Sequence, residues 1–195
     1  NYLDGREIGF KEFYDRVRGG SMPTPSALNV GEFEEAMRAI LETGKDVLYL
    51  GFSSGLSTTY QSSVIAAEGL RSEFPDSKII VVDTLTASMG QGLFLWYACQ
   101  KRDAGLSVDE LTAWLEENKL HLCHWFTVDD LFFLKRGGRV STATAVMGSL
   151  LSIKPVMHVD NEGHLIPVSK VRGRRTAIVA MADKYTEKAV DKANG

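Results

Sequence analysis

The sequence predicts an α/β fold of two parts: a parallel-sheet domain over residues 1–119 and an α+β domain over residues 120–195. Two observations carry this. Short, almost continuously apolar runs alternate with longer amphipathic segments in the first part, which is how parallel strands covered on both faces read. Near Lys119 and Leu120 that alternation stops, and two strand-like runs joined through Asn161-Glu162-Gly163 signal an antiparallel hairpin.

Taken in order, "NYLDGREIGFKEFYDRV" opens without Met and runs through a turn into an amphipathic helix, as though an upstream strand were missing. "NVGEFEEAMRAILETG" reads as a helix with Asn29 as N-cap and Gly44 as C-cap. "DVLYLGFSSG" is a strand leaving into a loop, "YQSSVIAAEGLRSEF" a helix, "KIIVVDT" a second buried strand and "SMGQGLFLWYACQKRDAG" a second helix. "SVDELTAWLEENKL" is a helix capped at Ser107, with Glu110 completing the box. Beyond it, "HLCHWFTV" reads as a strand, "DDLFFLKRGG" as a short helix ended by glycines, and "STATAVMGSLLS" as another helix. "KPVMHVDNEGHLIPVSKV" supplies the hairpin, and a last helix runs from about Arg174 through Lys192.

Composition narrows function mainly by exclusion. The chain has 195 residues, is 44% hydrophobic and 24% charged, and carries a net charge of -3, so nothing pulls it globally toward nucleic acid or an anionic membrane. No run approaches the ~20 apolar residues of a membrane span, and no signal peptide is visible, which points to the cytoplasm. The two cysteines, Cys99 and Cys123, lie in separate apolar segments without a partner at ligand spacing and read as buried free thiols.

The densest chemistry sits in "GFSSGLSTTYQSS", Gly51 to Ser63. Gly51-Phe52-Ser53-Ser54-Gly55 is a literal Gly-x-Ser-x-Gly at a strand-to-helix turn, the elbow of a serine esterase or lipase, with Ser53 as the nucleophile. That chemistry needs a histidine and an acid to orient it, yet His121, His124, His158 and His164 all fall in or beside strands of the second part. The loop also suits an anion, since hydroxyls and backbone N–H groups at a helix start hold carboxylate or phosphate; it lacks the lysine of a P-loop. His121-Leu-Cys-His124 makes a weak metal site, because on a strand alternate residues face opposite sides. Two basic clusters, Lys135, Arg136 and Arg139 around Gly-Gly, and Lys170, Arg172, Arg174 and Arg175 at a helix start, suit an anion or a docking partner.

Together, "SSGLSTTYQSS", "VVDTLTASMGQG", "LKRGGRVS", "LLSIKPV" and "GHLIPVSKVRGRR" occur in the order and spacing of the DegV family, bacterial two-domain proteins that bind a fatty acid, and the chain resembles that family over nearly its whole length. Family members are about half as long again, with an upstream Asp-Ser strand and a C-terminal histidine that this sequence does not show. The resemblance implies a non-catalytic carrier that uses no cofactor, binds no metal, holds a long-chain fatty acid between its domains and presents the carboxylate to a separate fatty acid kinase, with at most transient membrane contact. Matched residue by residue, it places Ser57 at the carboxylate, with Ser26, Thr24, Ser53 and Ser54 as further donors and Arg136 or Arg139 nearby. Where the family has threonine before the serine matched by Ser26, this chain has Pro25, and Thr58 replaces the family's glycine after Ser57. Lys170, Arg172 and Arg174 become the kinase contact. An acyl tunnel would draw on Val64, Ile65, Leu93, Phe94, Met147, Leu150, Leu151 and Ile153. Burying a chain of about 15 methylenes gains on the order of 10 kcal/mol before entropy costs, so the head group needs only orientation.

Overall fold

A computed structural model describes residues 6–141 and 152–191. Helix α1 (Phe10–Arg18) carries i,i+4 pairs between Lys11 and Asp15 and between Glu12 and Arg16. Helix α2 (Val30–Leu41) starts with a complete capping box, in which Asn29 Oδ1 accepts from the Glu32 amide while the Glu32 carboxylate accepts from the Asn29 amide. Its C-cap falls two residues before the expected glycine. Glu42 is the C-cap, and Gly44 takes the left-handed turn that follows, at φ +74.

Strands β1 (Val47–Gly51) and β2 (Ile79–Asp83) pair in parallel, Val47 opposite Ile79 through Gly51 opposite Asp83, and helix α3 (Thr59–Glu73) makes the crossover. Because side chains alternate across a strand, Val47, Tyr49, Ile79 and Val81 pack against α2 and α3 with Phe33, Met37, Ala66 and Leu70. Leu48, Leu50, Ile80 and Val82 face the other way, onto helices α4 (Ser88–Asp103) and α5 (Val108–Asn118) through Phe94, Ala98, Leu111 and Leu115. The continuous apolar runs follow from this two-sided burial. The Ser107–Glu110 capping box opens α5 as the sequence reading expects.

The predicted strand 121–128 is much shorter. Lys119–His121 forms a 3-10 turn on the end of α5, held by Asn118, whose side-chain amide donates to the Trp114 carbonyl and whose Oδ1 meets His121 Nδ1. Only Trp125–Phe126 (β3) remains extended and paired. After helix α6 (Leu131–Arg136), capped by Asp130 Oδ1 on the Phe132 amide, strands β4 (Ile153–Val159) and β5 (Leu165–Arg172) form the hairpin. The second sheet is antiparallel, ordered β3-β4-β5, with a register shift at Val156/Met157 that leaves Val168 as the extra residue. Helix α7 (Arg174–Lys188) packs on this sheet and stops before the expected Lys192, where Ala189 turns extended. The expected helix over residues 141–152 lies almost wholly outside the described residues.

Leu115 is fully buried between α5 and the first sheet, so Leu115→Ala is expected to cost about 2–5 kcal/mol. Loss of the surface cap in Ser107→Ala is expected to cost about 1 kcal/mol. Urea unfolding of the two variants checks both the order and the sizes.

Candidate ligand-binding site

The loops that follow β1 and β2 are stitched together at the carboxyl ends of the parallel strands, where open α/β sheets hold their ligands. Thr84 Oγ1 donates to the Gly51 carbonyl at 2.6 Å, the Ser53 amide donates to the Thr86 carbonyl at 2.9 Å, and Asp83 Oδ1 accepts from the amides of Ser54 and Leu85. Gly51 leaves room for the Tyr60 ring: a Cβ there would lie 3.0 Å from it, a tight contact. From this platform the chain turns through Ser57 into α3. Ser57 Oγ accepts from the Thr59 amide at 3.2 Å and lies 2.8 Å from Thr59 Oγ1, which fixes the hydroxyl at the helix start.

Ser57 lines a cavity of about 1740 Å³ bounded by the serine loop, the start of α4, β3 and α6. Thr24 and Ser26 stand on its exposed rim, Leu93 and Phe94 on its α4 wall, and Arg136, Arg139 and Arg174 among its cations. The structure therefore brings these eight predicted residues to one cavity. Arg139 Nε donates to the Leu56 carbonyl at 3.0 Å, tying the basic cluster directly to the serine loop. The Arg136 guanidinium stacks 4.2 Å above the Phe133 ring.

Other expected site residues lie elsewhere. Ser53 is 0% exposed and outside the cavity, its hydroxyl donating to the Gly163 carbonyl at 2.8 Å. The elbow reading thus meets a serine whose proton goes to a main-chain carbonyl and not to a histidine. Ser54 is exposed and engages Asp83 through its amide. Val64 and Ile65 do not line the cavity, because α3 covers the opposite face of the sheet; Ile65 is 47% exposed. Ile153 is half-buried in β4 and also away from the cavity. Met147, Leu150 and Leu151 lie outside the described residues. Lys170 and Arg172 are exposed on β5, outside the cavity. Among the described residues no group of acidic, His and Cys side chains is arranged to hold a metal ion.

Much of the wall was not read from the sequence. Beside the expected Phe94, Tyr97 on α4 and Trp114 of α5, which pack together at 6.4 Å with Phe94 6.1 Å from Trp114, line the cavity with Trp125 and Phe126. The i,i+3 spacing of Phe94 and Tyr97 was the available signal. Both cysteines are free as expected, but Cys123 is exposed and on the cavity wall, not buried. His124 presses against Gly90, where a Cβ would lie 2.6 Å from Nδ1, and that buried nitrogen has no hydrogen-bond partner among the described residues. Burial, reinforced by the nearby His158, holds the His124 imidazole below its ordinary range. Burial also lowers His158, with Asp160 opposing the shift and Lys188 adding to it. Asp129 is held low by hydrogen bonding to Lys154 and by the charge of Arg174, so it serves as an ion-pair centre between β4 and α7.

An apolar cavity opening at the carboxyl end of a parallel sheet, rimmed by hydroxyls and arginines, has the form of a small-ligand site. The chain is a member of the DegV family, whose family model, described as that of an uncharacterised protein family, matches residues 1–195. A DegV domain-containing protein of Clostridium perfringens is 45% identical over 192 residues, covering 97% of this chain and 66% of the relative. One of Streptococcus pyogenes is 43% identical, covering 90% and 62%. The chain thus spans slightly less than two thirds of these curated relatives. Among solved structures, a Thermus thermophilus DegV family protein described as binding fatty acid superposes with a TM-score of 0.82 at 35% identity, over 97% of this chain and 66% of its own. Bacillus subtilis DegV, described as a fatty acid binding protein, gives a TM-score of 0.80 at 31% identity, over 95% and 65%.

Both depressed imidazoles make stability depend on pH. The unfolded chain takes up protons near pH 6.5 while the folded sites resist them, so stability is full above that pH and falls as pH drops toward the lowered folded values. The urea midpoint is therefore expected to fall between pH 7 and pH 5.5, and to fall less in His124→Phe.

Proposed function

We propose that this chain binds a long-chain fatty acid in the cavity between its two sheets and acts as a carrier with no chemistry of its own. The observation that carries the reading is the cavity itself: walls from Phe94, Tyr97, Trp114, Trp125 and Phe126 suit an acyl chain, and Ser57 stands on the same surface with Ser26, Thr24, Arg136 and Arg139. Solved relatives from Thermus thermophilus and Bacillus subtilis, described as fatty acid binding, support it. Hydroxyls and arginines satisfy a carboxylate without a catalytic base. On this reading residues 1–119 and 120–195 are the two domains, and the protein works in the cytoplasm.

The carrier presents the carboxylate to a separate fatty acid kinase, and the exposed Lys170, Arg172 and Arg174 form the contact. Arg172 sits beyond the cavity on β5, which suits a residue that meets a partner instead of the ligand. Arg174 has a double position, lining the cavity and pairing with Asp129 at 3.2 Å, and belongs to both surfaces. The esterase reading finds no support at Ser53, whose hydroxyl is buried and committed to Gly163.

Denaturing extraction of purified protein followed by lipid mass spectrometry is expected to recover one fatty acid per chain; an empty protein overturns the reading. Ser57→Ala removes a donor to the carboxylate and is expected to weaken retention by on the order of tenfold. Arg172→Ala is expected to keep the lipid within twofold while lowering kinase-dependent phosphorylation, measured in parallel on the same preparations.

A further inference from the structure

The tip of the β4–β5 hairpin is seated on the serine loop of the first sheet at backbone contact distance. A Cβ at Gly163, which has φ +79, would lie 2.0 Å from Ser53 Oγ, and one at Gly55 would lie 2.7 Å from the Glu162 carbonyl oxygen. Asp160 holds the tip rigid, its Oδ1 accepting from the amides of Glu162 at 3.1 Å and His164 at 2.8 Å. Ser53 is the meeting point. Its hydroxyl donates to the Gly163 carbonyl at 2.8 Å and accepts from the Gly55 amide at 3.2 Å. Its carbonyl accepts from the amides of Leu56 at 3.1 Å and Ser57 at 3.2 Å. One residue thus bonds the hairpin of one sheet and the backbone of the ligand-facing serine of the other.

We propose that Ser53 is a positioning residue: with Gly163 it latches the hairpin to the loop and so fixes Ser57 toward the ligand carboxylate. This rests on the carrier reading above. The latch explains why Gly-x-Ser-x-Gly occurs here without a catalytic base. Gly51 admits the Tyr60 ring, Ser53 makes the latch, and Gly55 admits the hairpin backbone. Arg139, in the turn that follows α6, adds a second tie through the Leu56 carbonyl, adjacent to Ser57. Removing the Ser53 hydroxyl leaves the Gly163 carbonyl and Gly55 amide without this partner in a buried contact, so the tip lifts and Ser57 loses its fixed orientation.

The test is displacement of a fluorescent fatty acid from the whole chain, in wild type, Ser53→Ala, Gly163→Ala, Ser57→Ala and the Ser53→Ala/Ser57→Ala pair. Ile79→Val, in the core on the far side of the sheet, serves as a control for general destabilisation. Ser53→Ala and Gly163→Ala are expected to bind on the order of tenfold more weakly. The double variant is expected to match Ser57→Ala within about twofold, since Ser53 acts through Ser57. Ile79→Val is expected to bind as wild type. Unchanged affinity in Ser53→Ala, or multiplying losses in the pair, overturns the proposal. Ser53→Cys, similar in shape but a weak donor, covers the case in which the alanine variant does not fold, and the same loss is expected of it. A wild type that binds no probe overturns the carrier reading; the latch is then decided by hydrogen exchange. Faster exchange at the Gly55 and Ser57 amides in Ser53→Ala than in Ile79→Val sustains it, and equal exchange overturns it.

Discussion

The arrangement depends on one close approach, the seating of the Glu162–Gly163 backbone against Ser53 and Gly55. Two sheets of different kind, one parallel and one antiparallel, share no strand among the described residues. Here a hairpin tip meets the loop of the other sheet with no side chain between at Gly55 and Gly163, and the Ser53 hydroxyl fills the contact. The cavity lies beside this junction, so its shape follows from how the two backbones meet. That makes glycine at these positions a matter of space at Gly55 and of both space and positive φ at Gly163.

The two-faced burial of β1 and β2 then assigns each helix its task. Helices α2 and α3 close one face around Phe33, Met37, Ala66 and Leu70, and the outer side of α3 is left to solvent. Helices α4 and α5 cover the other face, and the aromatic residues that extend past the sheet on that side, Phe94, Tyr97 and Trp114, become cavity wall. Polar groups collect where strands end, because backbone N–H groups and short hydroxyl side chains are there freed from the ladder. An apolar wall beside a hydroxylated rim matches a ligand with a long apolar body and one polar end.

Charge is distributed along the same division. Lys154 and Arg174 converge on Asp129, which couples β4 to the start of α7 and offsets the unfavourable placement of cations at a helix N-terminus. Arg136 is exposed at the cavity edge with its guanidinium over the Phe133 ring, so its charge meets solvent and an aromatic face together. His124 and His158, by contrast, sit where burial favours the neutral ring, so they contribute packing near the wall and no fixed charge.

Local pattern determined much of this protein. The parallel strands, the capping boxes at Asn29 and Ser107, the hairpin through Asn161–Gly163 and the importance of the Gly51–Ser63 loop all rest on interactions within a few residues, or on alternation that a strand imposes on its own side chains. Tertiary structure alone decided which side chains of those elements meet. Val64 and Ile65 look as suitable for an acyl wall as Leu93 and Phe94, but the crossover puts α3 on the far face of the sheet. The 121–128 run has the apolar content of a strand, yet Asn118 winds its beginning onto the end of α5. Ser53, Ser54 and Ser57 are equivalent hydroxyls in a sequence. Only a hairpin 110 residues away buries the first, while the turn beyond it leaves the second in solvent and carries the third to the cavity.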